Sequence, residues 1–383
     1  MYNAVLHNFH NERKRVRLVL KNSNLHQHMY KLTVRYGRNY WSIPRFIRSK
    51  LRFSDSICDL PNAKCWYKQS LVTVDSSRIV GENYLLGREY VSKNLFYAVV
   101  QHCTLRGPNA TPCFTTGEIL TTSYRDTPIL IKEDLEILGS NCSAVTNDSI
   151  SSEHCVLSMI GRLDSNFYHW VTEYLPLLDV FMRYCNEAKL LPTILLRENA
   201  PSFHTESIRL FCPKANIIHY VPDTQIPKLF VSTVPTVGFA CHPIASQLRK
   251  QVIPQQNKNF SSTKLYLYRP VGSWRYVVNH TEVIEKAISY GFQPINPSDF
   301  SFLDQIDIFS NATDIVSIHG SALTNILYGN GCNVVEFHGD YHDSVFSSLS
   351  NLCTNKHNKV RVADRSGNVE LSAKDIDYIF TLR

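Results

Sequence analysis

The sequence predicts an α/β protein, and three observations carry that expectation. From His154 onward, apolar stretches of strand length alternate with amphipathic stretches of helix length, the order required by a parallel sheet with helices on its faces. The alternation stops at the polar run IPQQNKNFSST, Ile253 to Thr263, and then starts again. The chain has 383 residues and 44% of them are hydrophobic, enough at about 100–200 residues per domain for two or three cores.

Taken in order, residues 1–60 form a basic, aromatic N-terminal arm with little periodicity. Between Leu71 and Ile137 the signals are short and strand-like (SLVTV, NLFYAVV, EILTTSY, PILIKE), broken by Gly, Pro and Asn. Asn166 to Cys185 then predicts a helix with an apolar face. PTILLR predicts a strand, PSFHTESIRLFC a helix opened by Pro and Ser, and NIIHYV and KLFVSTVP two more strands. Together these make a first α/β unit over 61–253. The second unit, 254–370, begins with strand KLYLYR. Helix HTEVIEKAISYG follows, with Asn279 as its cap and Gly291 at its end. FQPIN predicts a short strand, Ser301 to Ser310 a helix, ATDIVSIHG a strand, SALTNILY a helix and CNVVEFHG a strand. Residues 371–383 contain a terminal helix, SAKDIDYIFTLR.

Charge divides the chain. Residues 13–52 hold twelve Lys and Arg and no Asp or Glu, while the rest carries 28 basic and 33 acidic residues. A basic arm on a mildly acidic body suits an anionic partner surface. Within it, Ile43, Phe46, Ile47 and Leu51 recur near helical spacing among basic residues, as in a helix lying on anionic lipid. A solvated basic surface is the plainer reading. No nucleic-acid motif accompanies the charge, so nucleic acid is not an expected partner. Eleven cysteines, without a C-x-x-C pair and several within apolar runs, suit a reducing compartment. No secretory leader and no run of about 18 apolar residues is visible. The expected location is therefore cytoplasmic, with the arm able to hold the chain against a membrane.

The chemistry concentrates between Tyr266 and Glu336. Ligands of open parallel sheets bind at the C-terminal ends of strands. Arg269 follows one predicted strand, His319 and Gly320 follow another, and Glu336 ends a third. Small Ser321 and Ala322 after His-Gly let an anion approach the N-terminus of the next helix. Arg269 and Arg275 supply forked donors for the same anion. Asn279 either caps its helix or donates to phosphate, and Glu336 is suited to accept from ribose hydroxyls. Upstream, His169 and Glu173 stand four apart on one helix face beside Tyr168 and Trp170. A His–carboxylate pair flanked by aromatics suits general-base work on a sugar hydroxyl. It equally suits a surface pair on a half-buried helix.

Neither G-x-G-x-x-G nor a P-loop is present, which disfavours dinucleotide oxidoreductases and phosphoryl transfer. Asp375-Ile-Asp377 is a D-x-D, but it falls in the amphipathic terminal helix and reads as surface. His338-Gly-Asp-Tyr-His342-Asp343 resembles metal-ligand material without a second cluster to join it, so no metal is expected.

These motifs resemble glycosyltransferase family 61. The resemblance rests on His169-x-x-x-Glu173-x-Leu175-Pro176, the Arg269 and Arg275 pair, Asn279-x-x-Glu282, Gly291-Phe292 and Asp304-Gln305. It continues with Phe309, Ala312, His319-Gly320-x-x-Leu323-x-Asn325 and Glu336. The FYHW element is similar to the bacterial, capsule-type branch. Ser321 stands where the family usually has Ala, and Glu173 where eukaryotic members have Asp.

The resemblance implies a GT-B-like pair of Rossmann-like domains facing across a cleft. It implies inverting, metal-independent transfer from a UDP-sugar, of the xylose or N-acetylglucosamine type, to a glycan or glycolipid hydroxyl with a β-linkage, and no cofactor beyond that donor. The second unit would hold UDP through Arg269, Arg275, Asn279, His319, Gly320, Ser321, Asn325 and Glu336. The first would hold the acceptor, with Glu173 as base and His169 orienting it. The competing expectation is a non-catalytic nucleotide- or glycan-binding subunit of a polysaccharide-synthesis complex.

Overall fold

The structure is a computed structural model. It describes residues 52–54, 62–75, 77–80, 89–114, 118–120, 144–161, 163–235, 240–252, 263–329 and 331–382. Apart from residues 52–54, the basic arm lies outside these residues. The expected lipid-facing helix over 43–53 does too, except that Arg52 and Phe53 belong to a strand.

The first sheet has nine strands. Its order is β1 (Arg52–Ser54), β8 (Glu118–Leu120), β7 (Thr111–Phe114), β6 (Leu95–Arg106), β12 (Thr224–Ser232), β9 (His154–Ser158), β10 (Leu191–Leu196) and β11 (Asn216–His219), with β2 (Lys64–Tyr67) also on β6. The expectation of a parallel sheet holds for β12, β9, β10 and β11. It fails for β2, β6, β7 and their junction with β12, which are antiparallel. The cause is local: β6 and β7 are joined by a tight turn at Gly107 to Ala110, both with positive φ, and so short a link permits only an antiparallel pair.

The second sheet is parallel throughout, in the order β14 (Gln293–Ile295), β13 (Thr263–Leu267), β15 (Ala312–Ile318), β16 (Asn333–His338), β17 (Lys356–Arg361) and β4 (Ile79–Val80). β4 comes from the N-terminal part of the chain. Two small hairpins, β3 (Leu71–Thr73) with β5 (Glu89–Val91) and β18 (Ala363–Arg365) with β19 (Asn368–Glu370), complete the strands described.

Helices link the strands. α1 is a composite of Phe167–His169, Trp170–Tyr174 and Leu175–Ala188, running on without a break. α2 (Ser202–Phe211), α3 (Ala245–Val252), α4 (His280–Ser289), α5 (Phe302–Ser310), α6 (Val345–Leu352) and α7 (Ala373–Thr381) follow. The sequence pattern does not predict α3, α6 or β17. Among the described residues no helix is long and apolar enough to cross a membrane.

Side-chain alternation on the second sheet separates two cores. Leu265, Leu267, Ile315 and Val334 face one way, while Tyr266, Val316, Val335 and Phe337 face the other, under α4 and α7. The first face is continuous with the core of the first unit: Leu157, Trp170, Phe181 and Ile194 belong to the same buried cluster as Leu265, Phe302 and Leu323. Phe167 meets Phe302 at 6.2 Å between ring centres. Glu206 on α2 accepts from the Phe302 amide at 2.5 Å, satisfying an open donor at the start of α5. The two units thus share one buried interior.

Strand order sets where ligands go. In the second sheet the chain lays β14 on one side of β13 and β15 on the other, so the switch point lies between β13 and β15. In the first sheet β10 lies on one side of β9 and β12 on the other. α1 leaves from that second switch point.

Candidate active site

Arg269 follows β13 and His319-Gly320 follows β15, so these residues flank the switch point of the second sheet. Arg269 donates to the Trp274 carbonyl at 2.9 Å. Burial, then the neighbouring Arg275, pulls its pKa down to about 10. Arg275 is stacked between two rings, 4.4 Å from the Trp274 centre and 4.7 Å from that of Tyr341. Burial lowers its pKa as well, offset by Tyr341, Asp343 and Glu336. Its Nε and Nη1 are buried without a hydrogen-bond partner, and its φ of 62° is uncommon away from glycine. Neither arginine has a carboxylate within ion-pair distance among the described residues. Two adjacent guanidiniums so placed cost free energy that a bound anion offsets.

Gly320 is needed for contact rather than for flexibility. Its φ of 166° is ordinary extended backbone. A Cβ there, however, would stand 1.7 Å from Nη2 of Arg269. The missing side chain lets the guanidinium lie on the backbone next to His319.

The turn after Gly320 corrects one expectation. Ser321–Leu327 is a 3₁₀ helix of seven residues, not an α-helix, and its dipole contribution is correspondingly small. Ser321 is half-buried at its start. Asn325 is fully buried, with its amide on Gln305 Oε1 at 2.9 Å and on the Ala322 carbonyl at 3.2 Å. It therefore fixes the turn to α5 rather than lining the rim. Asn279 is also engaged elsewhere: it donates to Glu282 and to the Leu371 carbonyl, and accepts from the Leu371 amide. That clip ties the start of α4 to the segment before α7.

Glu336 is the largest departure from expectation. It is 0% exposed, so its carboxylate does not meet a ribose as placed. Oε1 pairs with His319 Nδ1 at 2.5 Å and Oε2 with His357 Nε2 at 2.8 Å, while Lys359 Nζ lies 3.8 Å from Oε1. Burial alone would raise its pKa, but His319, His357 and Lys359 outweigh burial and hold it well below the usual carboxylate range. Glu336 thus fixes the ring of His319, whose Nε2 is left pointing towards Asp343.

In the first unit, Asn166 caps α1 by accepting from the Tyr168 amide at 3.0 Å. The next residues depart from α geometry. Trp170–Tyr174 is a π segment, closed by the Leu175 amide on the Trp170 carbonyl. Pro176 supplies the reason: it has no N–H to continue an α ladder, so the helix widens and restarts with Pro in its first turn. The Thr172 hydroxyl takes the Tyr168 carbonyl at 2.7 Å. Within this bulge His169 Nδ1 lies 3.1 Å from Glu173 Oε2, with side chains 15% and 8% exposed. Below it, Trp170 stacks on His204 at 3.5 Å and donates to Ser207 Oγ at 2.9 Å. His204 is held neutral, at about 4, by burial.

Aromatic rings join the two halves. Tyr168 touches His169 (5.1 Å between ring centres) and Phe346 (5.6 Å), and Phe346 touches His319 (5.2 Å). The structure thus brings His169 and Glu173 to one side of Phe346, and His319, Gly320, Arg269 and Arg275 to the other. Sequence reasoning missed Trp274, Tyr341, Asp343, Phe346, His357 and Lys359. For Asp343 a signal existed, because the polar run 338–343 follows a strand end, but that run reads only as metal-ligand material and is set aside. Among the described residues no group of three His, Cys, Asp or Glu converges as metal ligands. The D-x-D has structural partners: Asp375 completes a capping box with Ser372, and Asp377 accepts from the Tyr290 hydroxyl at 2.7 Å.

A comparison with curated proteins finds no match. The model of the family Glycosyltransferase 61 matches residues 167–335, a span that opens at α1 and closes one residue before Glu336. It contains both candidate halves. That match supports membership of glycosyltransferase family 61, a family of sugar-transferring enzymes.

Proposed function

We propose that the protein transfers a sugar from a UDP-sugar, of the xylose or N-acetylglucosamine type, to a hydroxyl of a glycan or glycolipid, with inversion to a β-linkage. The observation that carries the reading is the pair of half-buried arginines without carboxylate partners beside His319-Gly320. Glu173, oriented by His169, takes the proton of the acceptor hydroxyl. The acceptor oxygen bonds to the anomeric carbon as that carbon's bond to the β-phosphate oxygen breaks. The departing diphosphate is met by Arg269, Arg275 and His319, side chains that can perform the charge stabilisation a metal provides elsewhere. We read the two units as a GT-B-like pair, donor on the second and acceptor on the first.

Incubation with a panel of UDP-sugars, with and without chelator, tests this reading. UDP release that persists in chelator is expected, and release that requires added metal overturns the metal-independent mechanism. The basic segment 13–52 is assigned to an anionic membrane surface; salt-sensitive binding to anionic but not neutral liposomes is expected.

A further inference from the structure

We propose that Asp343 selects the donor sugar, its Oδ2 accepting a hydrogen bond from a ring hydroxyl of the sugar carried on the diphosphate. This rests on the nucleotide-sugar reading of the site. Three features support it.

The carboxylate is held in place. Asp343 Oδ1 accepts from the Val345 amide at 3.0 Å, at the start of α6. The Lys359 ammonium donates to the Asp343 backbone carbonyl. Its other oxygen is open. Nε2 of His319 is 3.9 Å from Oδ2, beyond hydrogen-bond distance. No donor among the described residues reaches Oδ2, and the side chain is 19% exposed. The position is between the two halves: Asp343 lies beside His319, whose ring meets Phe346 at 5.2 Å, and Phe346 meets Tyr168, the neighbour of His169, at 5.6 Å.

Chemistry then narrows the occupant. A carboxylate beside a diphosphate repels it, so Asp343 must face a neutral donor group. The group between a diphosphate and the base that activates the acceptor is the transferred sugar. Its hydroxyls donate, and an ionised acceptor strengthens such a bond. A partly buried acceptor built for a particular hydroxyl also discriminates against a sugar lacking it, because the acceptor is then left unpaired.

The test uses the full chain. Binding of UDP, UDP-xylose, UDP-N-acetylglucosamine and UDP-glucose is measured by calorimetry for wild type, Asp343→Ala and Asp343→Asn. The Asn variant keeps an oxygen for the Val345 amide and so decides the matter if the Ala variant does not fold. The expected result is a loss of about 10- to 100-fold in affinity for the sugar nucleotide that wild type prefers. UDP itself should bind as well as before or tighter, and preference among the sugars should narrow. Equal losses for UDP and UDP-sugars, or no change in either, overturn the proposal. If wild type binds no UDP at all, the nucleotide-sugar reading fails and the proposal falls with it.

Discussion

Each unit contributes one histidine–glutamate pair to the site, and the two pairs are built differently. His169 and Glu173 lie one turn apart on a single helix, 3.1 Å apart and partly accessible. His319 and Glu336 lie on neighbouring parallel strands, 2.5 Å apart, with His357 and Lys359 on the next strand closing over the same carboxylate. The second pair is a sealed electrostatic unit: three basic groups hold one acid ionised where water cannot reach it. The first sits in a bulged helix and is nearly buried, but its two side chains keep 15% and 8% exposure. A carboxylate with both oxygens engaged and no exposure can orient a neighbour but cannot take up a proton from substrate. On the proposed reading, that difference separates Glu173, the group that performs chemistry, from Glu336, the group that aims His319.

Substitutions at four positions break or sharpen the contrast. The largest effect is expected at the accessible pair. Glu173→Gln should lower kcat by about 10²–10⁴-fold, the usual contribution of a general base, with UDP affinity and thermal midpoint nearly unchanged; normal turnover in a sugar-transfer assay would reject Glu173 as the base. At the sealed pair the effect is on folding. Glu336→Ala leaves two histidines and a lysine facing a void, and should cost about 3–5 kcal/mol in urea unfolding. The pH dependence follows the same logic. Because Glu336 titrates below its ordinary value of 4.5, it contributes stability that is whole above that pH and is lost as pH falls towards its folded pKa. Unfolding midpoints followed downward from pH 5 should therefore fall less steeply in Glu336→Gln than in wild type.

Smaller effects are expected on the diphosphate side. Gly320→Ala displaces the flexible end of Arg269 rather than any backbone. It should weaken UDP binding about tenfold, or about 1.4 kcal/mol, while circular dichroism stays native. Trp274→Ala removes one face of the Arg275 stack. At 63% exposure that stack is worth about 0.5–1 kcal/mol, so UDP affinity should fall only a few-fold by calorimetry.

Much of the second unit was legible in the sequence because its strands and helices carry plain periodicities and end in the residues that matter. The segments that escaped notice are those whose interior is polar. α6 reads VFSSLSNL, and Ser347, Ser348 and Ser350 are all buried. Its apolar stripe of Val345, Phe346, Leu349 and Leu352 is short and is diluted by the serines. β17 reads KHNKVR, with His357 and Asn358 buried, and passes for a loop. Missing β17 hid the partners of Glu336, so a residue that orients His319 was expected to bind ribose. Asn325 failed for a related reason: its spacing after His-Gly is fixed, but whether that spacing ends at the rim or beneath it depends on 3₁₀ rather than α winding. In the first sheet, alternation gave the strands but not their directions, which the turn at Gly107 to Ala110 decides. The π segment around Glu173 is visible only in hindsight, from Pro176.

The strand β4 has a consequence for how the chain is made. Asp75 and residues 77–80 bind the far edge of the second sheet. The Asp75 amide meets Asn351, Arg78 reaches the Thr354 carbonyl, and the His357 amide meets the Arg78 carbonyl. Asp75 and Asn351 are separated by 276 positions. At about 5–20 residues per second of synthesis, roughly 15–55 s pass between the two. During that interval the early segment waits for a sheet that does not yet exist. The second unit, though later in sequence, is therefore finished by a piece of chain that left the ribosome first.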